Sequence, residues 1–225
     1  MNLINLKNIC TIEKSSYMKK NEENSLLKAI LAGMCIGIAG LVYLSVDNHV
    51  IGALLFSFGL LVIVSRGYYL YTGKVGYLLP YSKEFLPVLL KTLLGNVIGV
   101  AVIAFLFRTT GLSEVVQAGS NLFALKLEHM WYETLTLAIL CGMMMYIAVD
   151  SYKNVKQDLV KVIILVFAVM IFILSKFEHS IANMLYFFLS DNISIKGVLY
   201  LFIMIIGNAI GAIVLNVIEK KISKE

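Results

Sequence analysis

Long apolar runs recur along the whole chain, each ended by a small polar or charged cluster. The first extends from about Lys28 to Val46 and stops at Asp47-Asn48-His49. The second starts at Val50, stays apolar to Val64, and then meets Ser65-Arg66-Gly67. The stretch from Tyr68 to Pro80 adds two glycines and a lysine before a third run from about Phe85 to Phe107. Residues 109–130 read as a longer polar connection. The fourth run covers Trp131 to Val149 and ends at Asp150. The fifth begins near Leu159, is apolar to Leu174, meets Lys176-Phe177-Glu178-His179-Ser180, and regains apolar character from Met184 to Leu189. The sixth runs from about Gly197 to Ile218 and leads into a basic tail. A membrane-spanning helix needs about 20 apolar residues. The second and fifth runs fall short, break and resume. Non-helical backbone at membrane depth survives only where protein or a water-filled cavity satisfies it. Paired interruptions of this kind mark a transport site.

The two interruptions occupy corresponding places. Gly95-Asn96-Val97-Ile98-Gly99 in the third run has a counterpart, Gly207-Asn208-Ala209-Ile210-Gly211, in the sixth, 112 residues later. The same offset sets the break after Val64 opposite the break after Lys176. Each half then holds three spans with its interruption in the middle one, and three being odd, the halves take opposite orientations. The expected fold is an all-α membrane protein of six transmembrane helices in two inverted three-helix repeats. The expected boundaries are a polar lead over 1–25, a transmembrane pore domain over 26–219 with repeats at about 28–108 and 131–218, and a tail over 220–225.

Composition agrees with lipid as the solvent. The chain of 225 residues is 60% hydrophobic and 15% charged, against roughly 25% charged in soluble domains. The first 25 residues are polar and mixed in charge, with no apolar core before a small-residue cleavage site, so the first run is expected to be a genuine span. The net charge of +5 could suggest nucleic acid, but its distribution points to membrane topology. Lys7, Lys14, Lys19, Lys20 and Lys28 precede the first span; Arg66, Lys74, Lys83 and Lys91 lie between spans two and three. Lys153, Lys156 and Lys161 lie between spans four and five, and Lys220, Lys221 and Lys224 form the tail. These make 15 of the 19 basic residues. The opposite side has Arg108, Lys126 and Lys196, and Lys176 falls within the fifth segment. The positive-inside rule then puts both termini in the cytoplasm of a multi-pass protein of the cell membrane, a bacterial inner or plasma membrane being the expected setting. Cys10, Cys35 and Cys141 have no metal-ligand spacing and read as small apolar side chains. No cofactor is called for. His49 and His129 read as surface residues.

Phe177-Glu178-His179-Ser180-Ile181-Ala182-Asn183-Met184 is the most informative stretch, because a glutamate and a histidine near mid-membrane are costly and functional by default. Together with Leu70-Tyr71-Thr72-Gly73, Leu140-Cys141-Gly142 and Gly207-Asn208-Ala209-Ile210-Gly211, in that order along the chain, it resembles the formate/nitrite transporter family from about Lys28 to Ile218. The resemblance implies an aquaporin-like bundle assembled as a homopentamer in membrane lipid, with one pore per subunit and two apolar constrictions around a chamber. It implies that Phe56, Leu60 and Phe172 line constrictions; from the residues alone they read as ordinary packing. It implies that Leu70, Tyr71 and Thr72 form the loop beside them, that His179 is the central histidine next to Glu178 and Asn183, and that Lys126 lies near the chamber. Three departures bear on the choice of anion: Tyr69 stands where the family has an acidic or amide residue, Tyr71 where it has phenylalanine, and Gly142 where it has a pore asparagine.

A bare anion entering low dielectric costs tens of kcal/mol by idealised Born solvation. Positive charge on Lys126 and the cytoplasmic lysines would raise the local anion concentration. Histidine, with an unperturbed pKa near 6.5, could hydrogen-bond a weak-acid anion or protonate it. Formate, nitrite and hydrosulfide are the expected substrates. The alternative is an aquaporin-like channel for small neutral solutes, which the Glu178-His179 pair and the lack of Asn-Pro-Ala motifs disfavour. An enzyme using that pair as acid and base has no accompanying nucleophile or metal-ligand cluster in the sequence.

Overall fold

The computed structural model describes residues 24–79, 83–191 and 193–223. Most of the expected polar lead, with Lys7, Lys14, Lys19, Lys20 and Cys10, lies outside the described residues, as do Pro80 and Lys224. Among the described residues nine α-helices follow one another: α1 (Ser25–Leu44), α2 (His49–Ser65), α3 (Tyr71–Lys74, continued by a 3₁₀ turn over Val75–Leu78), α4 (Phe85–Arg108), α5 (Ser113–Lys126), α6 (Trp131–Asn154), α7 (Asp158–Leu174), α8 (Ser180–Leu189) and α9 (Ile195–Ile222).

Four of these, α1, α4, α6 and α9, are long and apolar enough to cross a membrane. Helices α2 and α7 have 17 residues each, which at 1.5 Å per residue reach about 25 Å, short of a hydrocarbon core of about 30 Å. Helix α2 ends at the expected break after Val64, and α7 ends at Leu174, ahead of the break expected after Lys176. The chain turns and resumes as α3 after the first break and as α8 after the second. The sequence reading differs from the structure in one element: residues 109–130 hold a 14-residue helix, α5. Its mix of Ser, Gln, Gly and Asn with apolar residues gave it the composition of a loop.

Helix α1 packs along α4 and α6 along α9, while α2 packs on α7 and joins the two halves. Close approach depends on glycine: a Cβ at Gly33 in α1 would collide with the Asn96 carbonyl in α4, and one at Gly142 in α6 with the Asn208 carbonyl in α9. Large side chains point outward from the bundle, among them Phe58, Phe105, Leu159, Phe167 and Phe202. Such apolar exposure suits lipid or neighbouring subunits.

The halves repeat one another in detail. Tyr69 N–H donates to the Lys28 carbonyl (3.2 Å) and Glu178 N–H to the Leu137 carbonyl (3.3 Å). Tyr68 N–H donates to Ile63 and Phe177 N–H to Phe172, both at 2.9 Å. Every residue of these pairs is 109 positions from its counterpart. The sequence motif put the offset at 112, which holds for α4 against α9 but not for the breaks. The second half is three residues longer between its break and its last helix, so the break after Val64 matches the one after Ile173.

Candidate functional site

Each break leaves backbone groups that no helix satisfies, and one buried asparagine serves each. Asn96 of α4 accepts from Tyr71 N–H at 2.8 Å and donates to the carbonyls of Ala29 and Tyr69, both at 2.8 Å. Asn208 of α9 accepts from Ser180 N–H at 2.9 Å and donates to Ala138 and Glu178, both at 2.8 Å. Both side chains are fully buried. The turn out of α2 uses Gly67 at φ 66°, and its equivalent out of α7 is Lys176 at φ 57°. Only glycine adopts that left-handed region freely.

The two resumed segments meet at the middle of the bundle. His179 caps α8: its Nδ1 accepts from Ala182 N–H at 3.0 Å. Its Nε2 lies 3.0 Å from Thr72 Oγ1, at the start of α3. A backbone N–H can only donate, so Nδ1 is an acceptor and the neutral ring carries its proton on Nε2, donating to Thr72. Among the described residues the Thr72 hydroxyl has no other partner, which leaves its own proton to offer. The imidazole stacks on Phe172 at 5.5 Å, and Phe172 meets Phe56 edge to face at 6.0 Å.

Beside the ring, Glu178 Oε2 accepts from both Lys126 Nζ and Asn183 Nδ2 at 2.8 Å. The Glu178 side chain is 2% exposed and that of Lys126 12%, so the pair is held largely out of water. A cavity of about 700 Å³ opens over this cluster, lined by Lys126, Glu178, His179, Asn183, Phe56 and Phe172. Of the residues expected at the site, those six share it. Leu60, Leu70, Tyr71 and Thr72 are buried beneath, in the core; the Tyr71 hydroxyl donates to the Ile205 carbonyl at 3.2 Å. Gly142 lies at the α6–α9 contact, where a side chain would strike the Asn208 backbone.

The cavity also gathers residues that had no expected role: His49, Glu128, His129, Glu133 and Lys176. His129 Nδ1 stands 3.6 Å from Glu133 Oε2. Sequence reading passed over His49 and His129 because each lies in a polar turn, and only the fold brings those turns to one rim. Among the described residues no group of His, Cys, Asp or Glu could hold a metal ion.

Comparison with known proteins adds to this geometry. A family model described as formate/nitrite transporter matches residues 8–219. Formate channel FocA of Haemophilus influenzae is 28% identical over 197 residues, which cover 76% of this chain and 69% of that protein. A formate-nitrite transporter of Plasmodium falciparum is 27% identical over 222 residues, covering 80% of this chain and 72% of its own. A solved structure described as a pentameric formate channel with formate bound superposes with a TM-score of 0.80 at 23% identity, over 92% of this chain and 98% of that one. That likeness is one of fold.

Proposed function

This chain belongs to the formate/nitrite transporter family, and on that premise we propose that it carries a small monovalent weak-acid anion (formate, nitrite or hydrosulfide) across the cell membrane through a pore within each subunit. The pore domain comprises six spans in two inverted repeats, α2 with α3 and α7 with α8 each making one interrupted span. Both termini are cytoplasmic, and five subunits form a ring. Support comes from the 109-residue repetition of the break geometry, the outward apolar side chains, the placement of basic residues and the name of the similar structure.

The observation that carries the reading is the His179 ring, which bridges the two breaks with its proton-bearing nitrogen aimed at Thr72. An anion descending the cavity passes Lys176, an exposed cation that favours its approach, and then the Lys126–Glu178 pair. It then meets the Phe56–Phe172 wall and, beyond it, Leu60. Nε2–H of His179 and the hydroxyl of Thr72 are donors for it beyond that wall. Protonating Nδ1 as well would displace the Ala182 N–H and uncap α8. The geometry therefore favours His179 as a hydrogen-bond donor over a proton shuttle, and the proton that neutralises the weak acid comes from water in the cavity.

Flux into proteoliposomes from a panel of formate, nitrite, hydrosulfide, acetate and chloride tests this. Formate flux should rise on mild acidification, and His179→Asn should lower it by about tenfold or more while keeping the same pH response. A flattened pH response in the variant would make the ring the proton source instead. Vesicle swelling in small neutral solutes without anion flux would replace the reading with a neutral-solute channel.

A further inference from the structure

His179 and Thr72 reach the centre on segments of different build. His179 caps α8, a helix of 10 residues that satisfies most of its own backbone. Thr72 lies in α3, which has 4 residues and passes at once into the 3₁₀ turn over Val75–Leu78. So short a segment leaves carbonyls for side chains to satisfy. Asn216 of α9 supplies a donor: its Nδ2 reaches the Gly76 carbonyl at 2.6 Å and the Leu79 carbonyl at 3.2 Å. Two carbonyls face that nitrogen, and the Tyr146 hydroxyl of α6 lies 3.4 Å from the amide oxygen, so the side chain has one workable orientation. Tyr146 donates in turn to Glu219 at 2.8 Å, and Lys220 Nζ donates to the Leu79 carbonyl at 2.9 Å. Asn216 itself is buried.

The same segment is pressed onto both helices. A Cβ at Gly73 would meet Val149 of α6 at 3.0 Å, and one at Gly76 would meet Tyr146 at 2.8 Å and the Ala212 carbonyl of α9 at 3.2 Å. Val75 N–H donates to the Tyr71 carbonyl, which makes α3 and the turn one continuous piece, so a shift at Gly76 reaches Thr72. Thr72 is held from both sides: Asn96 of α4 fixes Tyr71 N–H before it, and Asn216 of α9 fixes the Gly76 carbonyl after it. The matching position in the other half carries no such arm. Helix α4 packs on α8 as α9 packs on the 3₁₀ turn, and at the helix offset of 112 the counterpart of Asn216 is Ala104, which is buried and has no hydrogen-bonding side chain. We propose that Asn216 is a positioning residue for the pore: it sets the Thr72 hydroxyl 3.0 Å from His179 Nε2, and so fixes the spacing of the two donors that an anion meets. The proposal rests on the transport reading above and deepens it.

The test uses the full chain in lipid bilayers, labelled with ¹⁵N on its 3 histidines, with the His179 ring signal identified by its loss in His179→Asn. Thr72→Val removes the hydroxyl and gives the Nε2 resonance of an unpartnered ring. Asn216→Leu should move the wild-type resonance toward that position. Tyr146→Phe, a milder change that frees the amide oxygen of Asn216, should move it the same way by less, and it carries the test if Asn216→Leu does not assemble. A merely structural role would lower the yield of folded protein and leave the resonance of the folded fraction where it was. In proteoliposomes Asn216→Leu should lower formate flux about fivefold, the loss expected from misplacing one hydrogen-bond donor. On a Thr72→Val background the same change should alter flux by less than about twofold, because residues acting through one group are not additive. An unmoved resonance in the variants that assemble, or flux losses that multiply on the Thr72→Val background, would overturn the positioning role. The resonance reads that role even where no anion moves, so failure of the transport reading shows separately, as wild-type proteoliposomes without flux.

Discussion

The two breaks share a backbone and differ in nearly every side chain that could do chemistry. Both have a left-handed residue, Gly67 or Lys176, both have an extended segment, and both are held by one asparagine making the same three hydrogen bonds. The second then presents Glu178, His179 and Asn183 where the first presents Tyr69, Leu70 and Lys74. The shared part answers the common demand that an interrupted helix satisfy its backbone away from water. The divergent part is free to specialise, and it puts the His179 ring on one side of the centre and a lysine held on a tyrosine face on the other.

The shared part can be broken at either end, with the largest effects expected. Asn96→Leu and Asn208→Leu each strand three buried backbone partners. At about 1–3 kcal/mol for every unsatisfied group, each variant should lose on the order of 5 kcal/mol, and both should fail to yield a monodisperse assembly in detergent. The comparison predicts similar losses. If one variant is stable and the other is not, the two asparagines are not equivalent.

The divergent part is next. Removing one member of a buried ion pair typically costs about 3–5 kcal/mol, because the other is left uncompensated. Lys126→Met should fall in that range, and Glu178→Gln with Lys126→Met should recover most of it, read as denaturation midpoints in detergent. A double variant no more stable than Lys126→Met alone would show that the pair does not set the stability of the second break. Lys126→Glu, which from sequence alone is a plain test of anion attraction, instead sets two carboxylates against each other and confounds flux with folding. At the first break Tyr69→Glu should change stability less, by about 1 kcal/mol, since the pair it creates with Lys74 is partly exposed. A loss as large as that of Lys126→Met would show that the Tyr69 ring is needed to seat Lys74.

Much of this was legible in the sequence, for physical reasons. The breaks announce themselves because apolar runs too short to cross a bilayer stop at charged residues. The Gly-Asn-x-Ile-Gly pair is visible because glycine contacts and a buried asparagine fix both composition and spacing. What Asn96 and Asn208 bind was not legible, since Asn96 reaches Ala29, 67 positions away, and Asn208 reaches Ala138, 70 positions away. The offset of 112 read from the glycine motif aligns Lys74 with Tyr186. Only the backbone bonds at the breaks move the register to 109 and set Lys74 against Asn183. Helix α5 was missed because an amphipathic helix rich in Ser, Gln and Asn resembles a connection, and the cavity rim of His49, His129 and Lys176 exists only once separate turns converge.

The smallest expected effect concerns the one backbone position where the breaks match in conformation and differ in cost. Gly67 occupies the left-handed region without penalty, while a lysine there is strained by about 1–2 kcal/mol. Lys176→Gly removes that strain but also frees the unfolded chain, which costs about 0.4–1 kcal/mol. The net should be a stabilisation of several tenths of a kcal/mol, read as a rise in denaturation midpoint. Gly67→Ala should go the other way by about 1 kcal/mol, since alanine meets the strain and no neighbour lies near enough to add contacts. Lys176 is exposed and lines the cavity over His179, so the same glycine variant should weaken the salt dependence of flux from the outer face, where a cation has been removed. A strained residue that persists beside a candidate pore is a pointer to use rather than to stability. The pointer fails if Lys176→Gly is less stable than wild type, because the left-handed turn would then be held by contacts of the lysine itself. It fails equally if the variant is more stable and its salt dependence is unchanged, because the strain would then serve nothing that the flux can read.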